Sequence, residues 1–151
     1  MRRSRQRFFS FHHIRDNWRV GQVRNSWVTA PDREAAGFWD AAEWEAVKLQ
    51  SRDKIIKWID TQLQGTSVTA VLIGAETSQR PYVQYEIERG IARGNGMLGI
   101  YIHNMKDSQG QTDRAGVNPL PAGYSTYDWV RDDGHKNLGA WIEAAAKAAG
   151  R

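Results

Sequence analysis

Residues Thr66–Gly94 read TSVTAVLIGAETSQRPYVQYEIERGIARG. An apolar run, Val68 to Ile73, ends in a polar turn, Gly74 to Arg80, and the spacing after Pro81 is helical. A strand, a polar loop and a helix lying back over the strand end is the unit from which open α/β sheets build ligand crevices. On a wheel of about 100° per residue, Gly90, Val83, Gly94, Ile87 and Ile91 share one arc, the face expected to pack on the sheet. Glu88 and Tyr85 fall outside it, toward solvent. Glu86 falls on the flank of the apolar arc, one turn from Tyr82 and one from Gly90. A carboxylate there is expected to be partly desolvated yet reachable by a ligand; the plain alternative is a boundary Glu resting its stem on the core.

Outward from this stretch, strands and helices alternate. Arg7 to His12 (RFFSFH) reads as a first strand, and Asp16-Asn17 as the cap of a helix with Val20, Val23 and Trp27 on one face. Pro31-Asp32 breaks that element. Asp40 to Leu49 reads as a short helical passage around Trp44 and Val47. The next helix carries Ile55, Ile56, Ile59 and Leu63 as its stripe and stops at Gly65. The Glu86 helix stops at Gly94-Asn95-Gly96, and Met97 to His103 (MLGIYIH) reads as a strand covered on both faces. A connection from Met105 to Tyr127, with Pro119 and Pro121, is expected to hold a small helix in preference to a moving loop. A weak strand near Tyr127 to Val130 and a final helix, Leu138 to Ala149, with Leu138, Trp141, Ile142 and Ala145 inward, complete the chain. The alternation predicts a mostly parallel central sheet with helices on both faces.

Composition limits what such a fold does. The chain has 151 residues, 40% of them hydrophobic, with seven Trp, enough for one domain with a real core. It has no Cys, which excludes disulfides and thiolate metal sites. No apolar run reaches the roughly 18 residues that span a bilayer, and FFSFHH is too short for a signal segment, so a cytoplasmic protein is expected. The pI near 9.6 comes largely from Arg2, Arg3, Arg5 and Arg7; without them the formal charge falls from +4 to 0. A basic tail over 1–7 ahead of a single domain over 8–151 leaves no basic groove, which disfavours nucleic acid as a partner. His12 and His13 are adjacent and point to opposite faces of a strand, so no metal site is expected. Gly90, Gly94, Gly96 and Gly99 run from helix to strand, the reverse of a phosphate loop.

FFSFHHIRDNWRVGQVRNSWV, the block GTSVTAVLIGAETSQRPYVQYEIERGIARGNGMLGIYIHN and their spacing resemble the TIR-like domain of the ThsB proteins of Thoeris antiphage defence. The resemblance runs from Phe8 to about Asn104 and weakens beyond. It implies a flavodoxin-like α/β architecture of three layers. Many TIR domains cleave NAD between ribose and nicotinamide, with NAD consumed as a substrate and no cofactor held. Their catalytic Glu lies on a helix, often with an aromatic, usually Trp, four residues before it. Here that pattern falls on Glu86 and Tyr82; the Tyr is a departure that puts the strength of stacking in doubt. By the same resemblance, Ser10, Phe11, His12 and Arg15 line the site, Arg15 near the diphosphate and Phe11 against a base. Core packing for Phe11 and a solvated charge for Arg15 are the plain alternatives.

The resemblance further implies self-association on activation, a phage-derived trigger, and an ADP-ribose-derived signal, cyclic in form, that acts on a separate effector, ThsA. Nicotinamide leaves NAD as a neutral base, so one carboxylate suffices where ordinary glycoside hydrolysis uses two. Two other readings stand beside this one. The first is a non-enzymatic TIR-type interaction or adaptor module in which Glu86 is incidental. The second is a nucleoside-processing transferase that uses a Glu at an anomeric carbon.

Overall fold

The computed structural model describes residues 7–12, 15–28 and 46–151. Arg2, Arg3, Arg5, His13, Pro31-Asp32 and the Asp40–Trp44 part of the expected helical passage lie outside the described residues. Four strands form one parallel sheet in the order β1 (Arg7–Ser10), β2 (Val68–Ile73), β3 (Gly96–Tyr101), β4 (Ser125–Asp128). The helices are α1 (Asn17–Val28), α2 (Arg52–Leu63), α3 (Pro81–Ala92) and α4 (Gly134–Ala148). Arg7 belongs to β1, its guanidinium 4.4 Å over the Trp27 ring, and not to a tail.

Strand residues alternate between faces, and the two faces are covered by different helices. Phe9, Ala70, Leu72, Leu98 and Ile100 pack with Val20, Val23 and Trp27 of α1 and with Leu138, Trp141, Ile142 and Ala146 of α4. On the other face Val71, Ile73 and Met97 meet Val83 and Ile87 of α3, while Phe8 meets Ile55, Ile59 and Leu63 of α2. This is the three-layer α/β arrangement of flavodoxin-like folds. A parallel sheet needs cover on both faces, which is why β2 is buried at all six positions.

The helices begin and end where local chemistry dictates. Ser51 accepts the Lys54 N–H at 3.4 Å to cap α2, and Gly65, at φ +77°, turns the chain out of it. Pro81 opens α3 at a position where its missing N–H costs nothing. Gly94, at φ +78°, closes it. The last helix starts four residues earlier than its apolar spacing predicts, at Gly134, and Ala146 replaces Ala145 as its fully buried alanine. A Cβ at Gly134 would run into the Trp129 ring, so the helix start is set by that packing. A short helical turn at 46–48 brings Val47 to the α2 cluster.

The expected small helix between Met105 and Tyr127 is not there. Residues 102–124 are turns and irregular chain, pinned by side chains in place of a helical ladder. The Asp107 carboxylate accepts the Gln109 and Gln111 N–H groups at 2.8 and 3.0 Å, and the Asp113 N–H donates to the His103 carbonyl at 2.9 Å. Leu120 anchors the segment in the α3 face, and Gly116 lies so close to the Gly74 carbonyl that a Cβ would collide with it. Among the described residues no helix is long and apolar enough to cross a membrane.

Two glycines test the layer packing. A Cβ at Gly96 would strike the Ala145 carbonyl of α4, backbone that cannot turn aside. Gly96→Ala is expected to lower unfolding free energy by about 1–3 kcal/mol in denaturant titration. Gly21 in α1 meets nothing within 4 Å, so Gly21→Ala is expected to raise it by up to about 1 kcal/mol.

Candidate functional site

The loops that leave the carboxyl ends of the strands converge at one end of the sheet. They are Phe11-His12 and Arg15-Asp16 after β1, Gly74–Arg80 after β2, and the irregular chain from Ile102 after β3. Ligands bind open α/β sheets at this end. A groove of about 640 Å³ there is lined by Tyr101, His103, Gly116, Tyr127, Asp128 and Arg131, among others. A smaller one of about 260 Å³ lies among Arg15, Arg19, Asp107, Gln111, Thr112 and Asp113. A cavity of about 400 Å³ beside Gly96, Tyr124 and Ala145 lies at the opposite, amino-terminal end of β3 and β4, away from these loops.

Glu86 is the centre of the first set of side chains. It lies deeper than its place on the helix wheel suggests: 2% exposed, on the buried face of α3 with Val83, Ile87 and Gly90. The reason is the seat of the helix. At Gly90 a Cβ would stand 2.9 Å from Thr69 Oγ1 and 3.2 Å from Met97 Sδ, so the bare glycine lets α3 settle onto β2 and β3. One turn earlier, the same closeness carries Glu86 into the helix–sheet interface, and a flank position becomes a core one. The Ser10 hydroxyl at the end of β1 donates to Glu86 Oε1 at 3.2 Å. Burial pushes the Glu86 carboxyl well above the ordinary carboxylate range, and the Ser10 hydrogen bond opposes this only in part.

The other predicted residues divide. Ser10 is fully buried and joins Glu86, as the strand-end placement requires. His12 follows it; its Nδ1 accepts the Arg15 N–H at 3.3 Å, which puts the proton of the neutral ring on Nε2. Burial, then the nearby Arg80 charge, lowers the His12 pKa, so the ring is neutral at physiological pH. Phe11, 2% exposed, is part of the core under α1 and α4, in line with the packing alternative and leaving no open ring face for a base. Arg15 is not a solvated charge: it pairs with Glu76 at 2.7 Å and Asp113 at 2.9 Å, tying the first loop to the other two. Tyr82, half-buried, packs toward Phe8, Ile55, Ile59 and Leu63. Tyr85, expected near solvent, is also half-buried, because its hydroxyl donates to Asp60 of α2 at 2.7 Å.

Three residues beside this set escape the sequence reading. Asp16, taken as a helix cap, is fully buried with its carboxylate against Gly74 and its Oδ2 3.5 Å from the Thr77 hydroxyl. That hydroxyl accepts the Gly74 N–H at 2.8 Å. Burial raises the Asp16 pKa to about 6 against the pull of Arg19 and Arg15. Arg19, equally hidden, donates to the Met105 and Gln111 carbonyls. The signal was present: Asp16 and Arg19 lie one helical turn before Val20 and Val23, so the apolar stripe extended backward would have marked both as inward-facing.

Residues 8–107 match the family described as Thoeris protein ThsB, TIR-like domain. A protein of Bacillus cereus (strain MSX-D12), named "Putative cyclic ADP-D-ribose synthase ThsB1", is 41% identical over 136 residues, 89% of this chain and 69% of the relative. The matched span takes in β1, β2, β3 and the whole Ser10–Glu86 centre, and on this ground the chain belongs to the ThsB family of Thoeris TIR-like proteins.

Proposed function

We propose that this protein cleaves NAD at the bond between ribose and nicotinamide and forms an ADP-ribose-derived, cyclic signal for a separate Thoeris effector, ThsA. The observation that carries the reading is the buried Glu86 carboxyl, hydrogen-bonded to Ser10 where β1 opens into the loop cluster. The name of the Bacillus cereus relative supports the product class.

Burial changes the expected course of the reaction. Burial shifts Glu86 toward its neutral, protonated form. A bound nicotinamide riboside unit is cationic, and a cation beside a buried carboxyl favours ionisation. Substrate entry therefore makes the anion that catalysis uses, and the proton leaves to solvent. The glycosidic C–N bond then breaks with its electron pair going to nicotinamide, which departs neutral. Positive charge passes to the ribose, where carboxylate Glu86, held by Ser10, stabilises it at low dielectric. Capture of the anomeric carbon by a nucleophile in the substrate's own adenosine half gives a cyclic product, and capture by water gives ADP-ribose, the nucleophile's proton leaving to solvent; exclusion of water favours the first. In this reading Arg15 exchanges Glu76 and Asp113 for the substrate diphosphate. The protein acts as copies that associate on activation by a phage-derived trigger. The adaptor reading draws on the same burial, since a closed carboxyl can be purely structural, and turnover separates the two.

Nicotinamide release, followed by chromatography with and without a phage-derived activator, is expected to fall ~10²-fold or more in Glu86→Gln, with no loss of thermal stability because no charge needs burying. Undiminished release would remove Glu86 from the mechanism.

The pH profile follows from the raised Glu86 pKa. The free enzyme loads productively once the carboxyl can ionise, so kcat/KM is expected to rise with pH through a value above the ordinary carboxylate range. Stability runs the other way. The folded state holds this proton, and that of Asp16, to higher pH than the unfolded chain, so stability is expected to fall as pH rises from about 4 through 6. For Asp16, with its pKa raised to about 6, the loss amounts to about 3 kcal/mol. Denaturant titrations across that range, with Glu86→Gln showing a shallower slope than wild type, check the sign.

A further inference from the structure

We propose that Asp16 and Arg19 form a positioning couple for the Glu86 site, holding the Gly74–Arg80 loop that leads into α3 and segment 105–113 in place at the carboxyl end of the sheet. The inference rests on the NAD-cleaving reading for its functional consequence, while its structural content stands on the geometry alone.

Both side chains spring from the start of α1 and reach different segments. Arg19 donates through Nε to the Met105 carbonyl at 2.9 Å and through Nη2 to the Gln111 carbonyl at 3.1 Å, so one guanidinium grips segment 105–113 near both ends. Its Nη1 lies 3.8 Å from Asp16 Oδ1 and 3.8 Å from Asp113 Oδ2, and Nη2 lies 3.9 Å from Asp107 Oδ2. Asp16 turns the other way, onto Gly74, where any Cβ would collide with its carboxylate, and toward Thr77 in the loop that leads into α3. The groups that act on Asp16 are Arg19, Arg15 and Thr77, which favour its ionised form, and Asp113, which opposes it.

The couple is poorly built for stability. Asp16 Oδ1 is buried and has no hydrogen-bond partner. Its contact with Arg19 is longer than a hydrogen bond. Removing one partner of a buried ion pair is costly where it strands the other charge. Arg19, however, keeps Asp107 at 3.9 Å, Asp113 at 3.8 Å and its two carbonyls, so a buried Asp16 charge kept at this cost points to a task other than folding. That task is mechanical: ionised Asp16 draws on Arg19, Arg19 fixes 105–113, and the Asp16–Thr77–Gly74 contacts fix the loop that enters the Glu86 helix.

Asp16→Asn keeps the shape and removes the charge. Its melting temperature at pH 7 is expected to match or exceed that of wild type, while kcat/KM for NAD falls about tenfold or more through misplaced loops. Hydrogen exchange without substrate is expected to speed up at Gly74 and at Gln111–Asp113. In wild type the protection of these amides, corrected for intrinsic rates, is expected to rise between pH 5 and 7.5 as Asp16 ionises, and the Asn variant is expected to show no rise. Asp107 and Asp113 are held below the usual carboxylate range, so neither titrates in that window. Arg19→Lys, which keeps a charge but loses the two-carbonyl fork, is expected to loosen 105–113 and spare Gly74. Should Asp16→Asn fail to fold, the wild-type pH series and Arg19→Lys carry the test. Flat protection with pH, or an activity loss matched by an equal stability loss, overturns the couple. Absence of NAD cleavage in wild type overturns the proposed function and leaves the exchange result to judge the couple.

Discussion

The close seat of α3 on β2 and β3 is the constraint on which the site depends. A glycine at position 90 lets the helix approach to within side-chain contact of Thr69 and Met97. Every residue on that face of the helix is then buried whatever its polarity, and Glu86 is the polar one. With a bulkier residue at 90 the helix would ride higher and the carboxyl would lie nearer water, as an ordinary surface acid. In the proposed mechanism the chemistry of the site is thus prepared by a packing contact one turn away from the group that would perform it.

A second consequence is the pairing of charges in the loop cluster. All strands of the sheet run parallel, so the loops after β1, β2 and β3 leave from the same end and must pack on one another. Polar residues at that junction lose water together. Asp16, Glu86 and Arg19 are hidden, while Arg15 with Glu76 and Asp113 closes the outer edge. Two carboxyls at one end of the fold are raised by burial, with different neighbours: Glu86 has a neutral hydroxyl and Asp16 an imperfect cation. Environments that push two acids in distinct ways are how one fold assigns separate roles to like residues. In the proposed mechanism one acid faces the reacting sugar, and the other is the one proposed to hold the loops.

The irregular chain after β3 takes its order from this junction. It has no helical period, and its glycines and prolines deny it a regular ladder. Its backbone groups are satisfied instead by Asp107, by the His103 carbonyl and by the Arg19 fork. A segment tied by a few polar contacts, and not by a buried apolar face, is the kind that responds to a change of charge.

An unbroken apolar run located β2 to the residue, as fits a strand buried on both faces, and the 3.6-residue apolar repeat placed α2 and α3 because it reports which face is buried. The family motifs likewise brought Ser10 and Glu86 to one place, since strand ends and the following helix meet by topology. Depth was another matter. Whether Glu86 is a flank or a core residue turns on how near α3 approaches, and that is decided by Gly90 against Thr69 and Met97, partners far apart in the chain. The same holds for Asp16 and Arg19, whose partners Thr77, Gly74, Met105 and Gln111 lie 58 to 92 residues away, and for Arg15, whose two carboxylates come from two other loops. Local sequence determines which residues form an element and which side of it is apolar; only the packed fold decides how much water a charge retains, and with it the chemistry that charge can do.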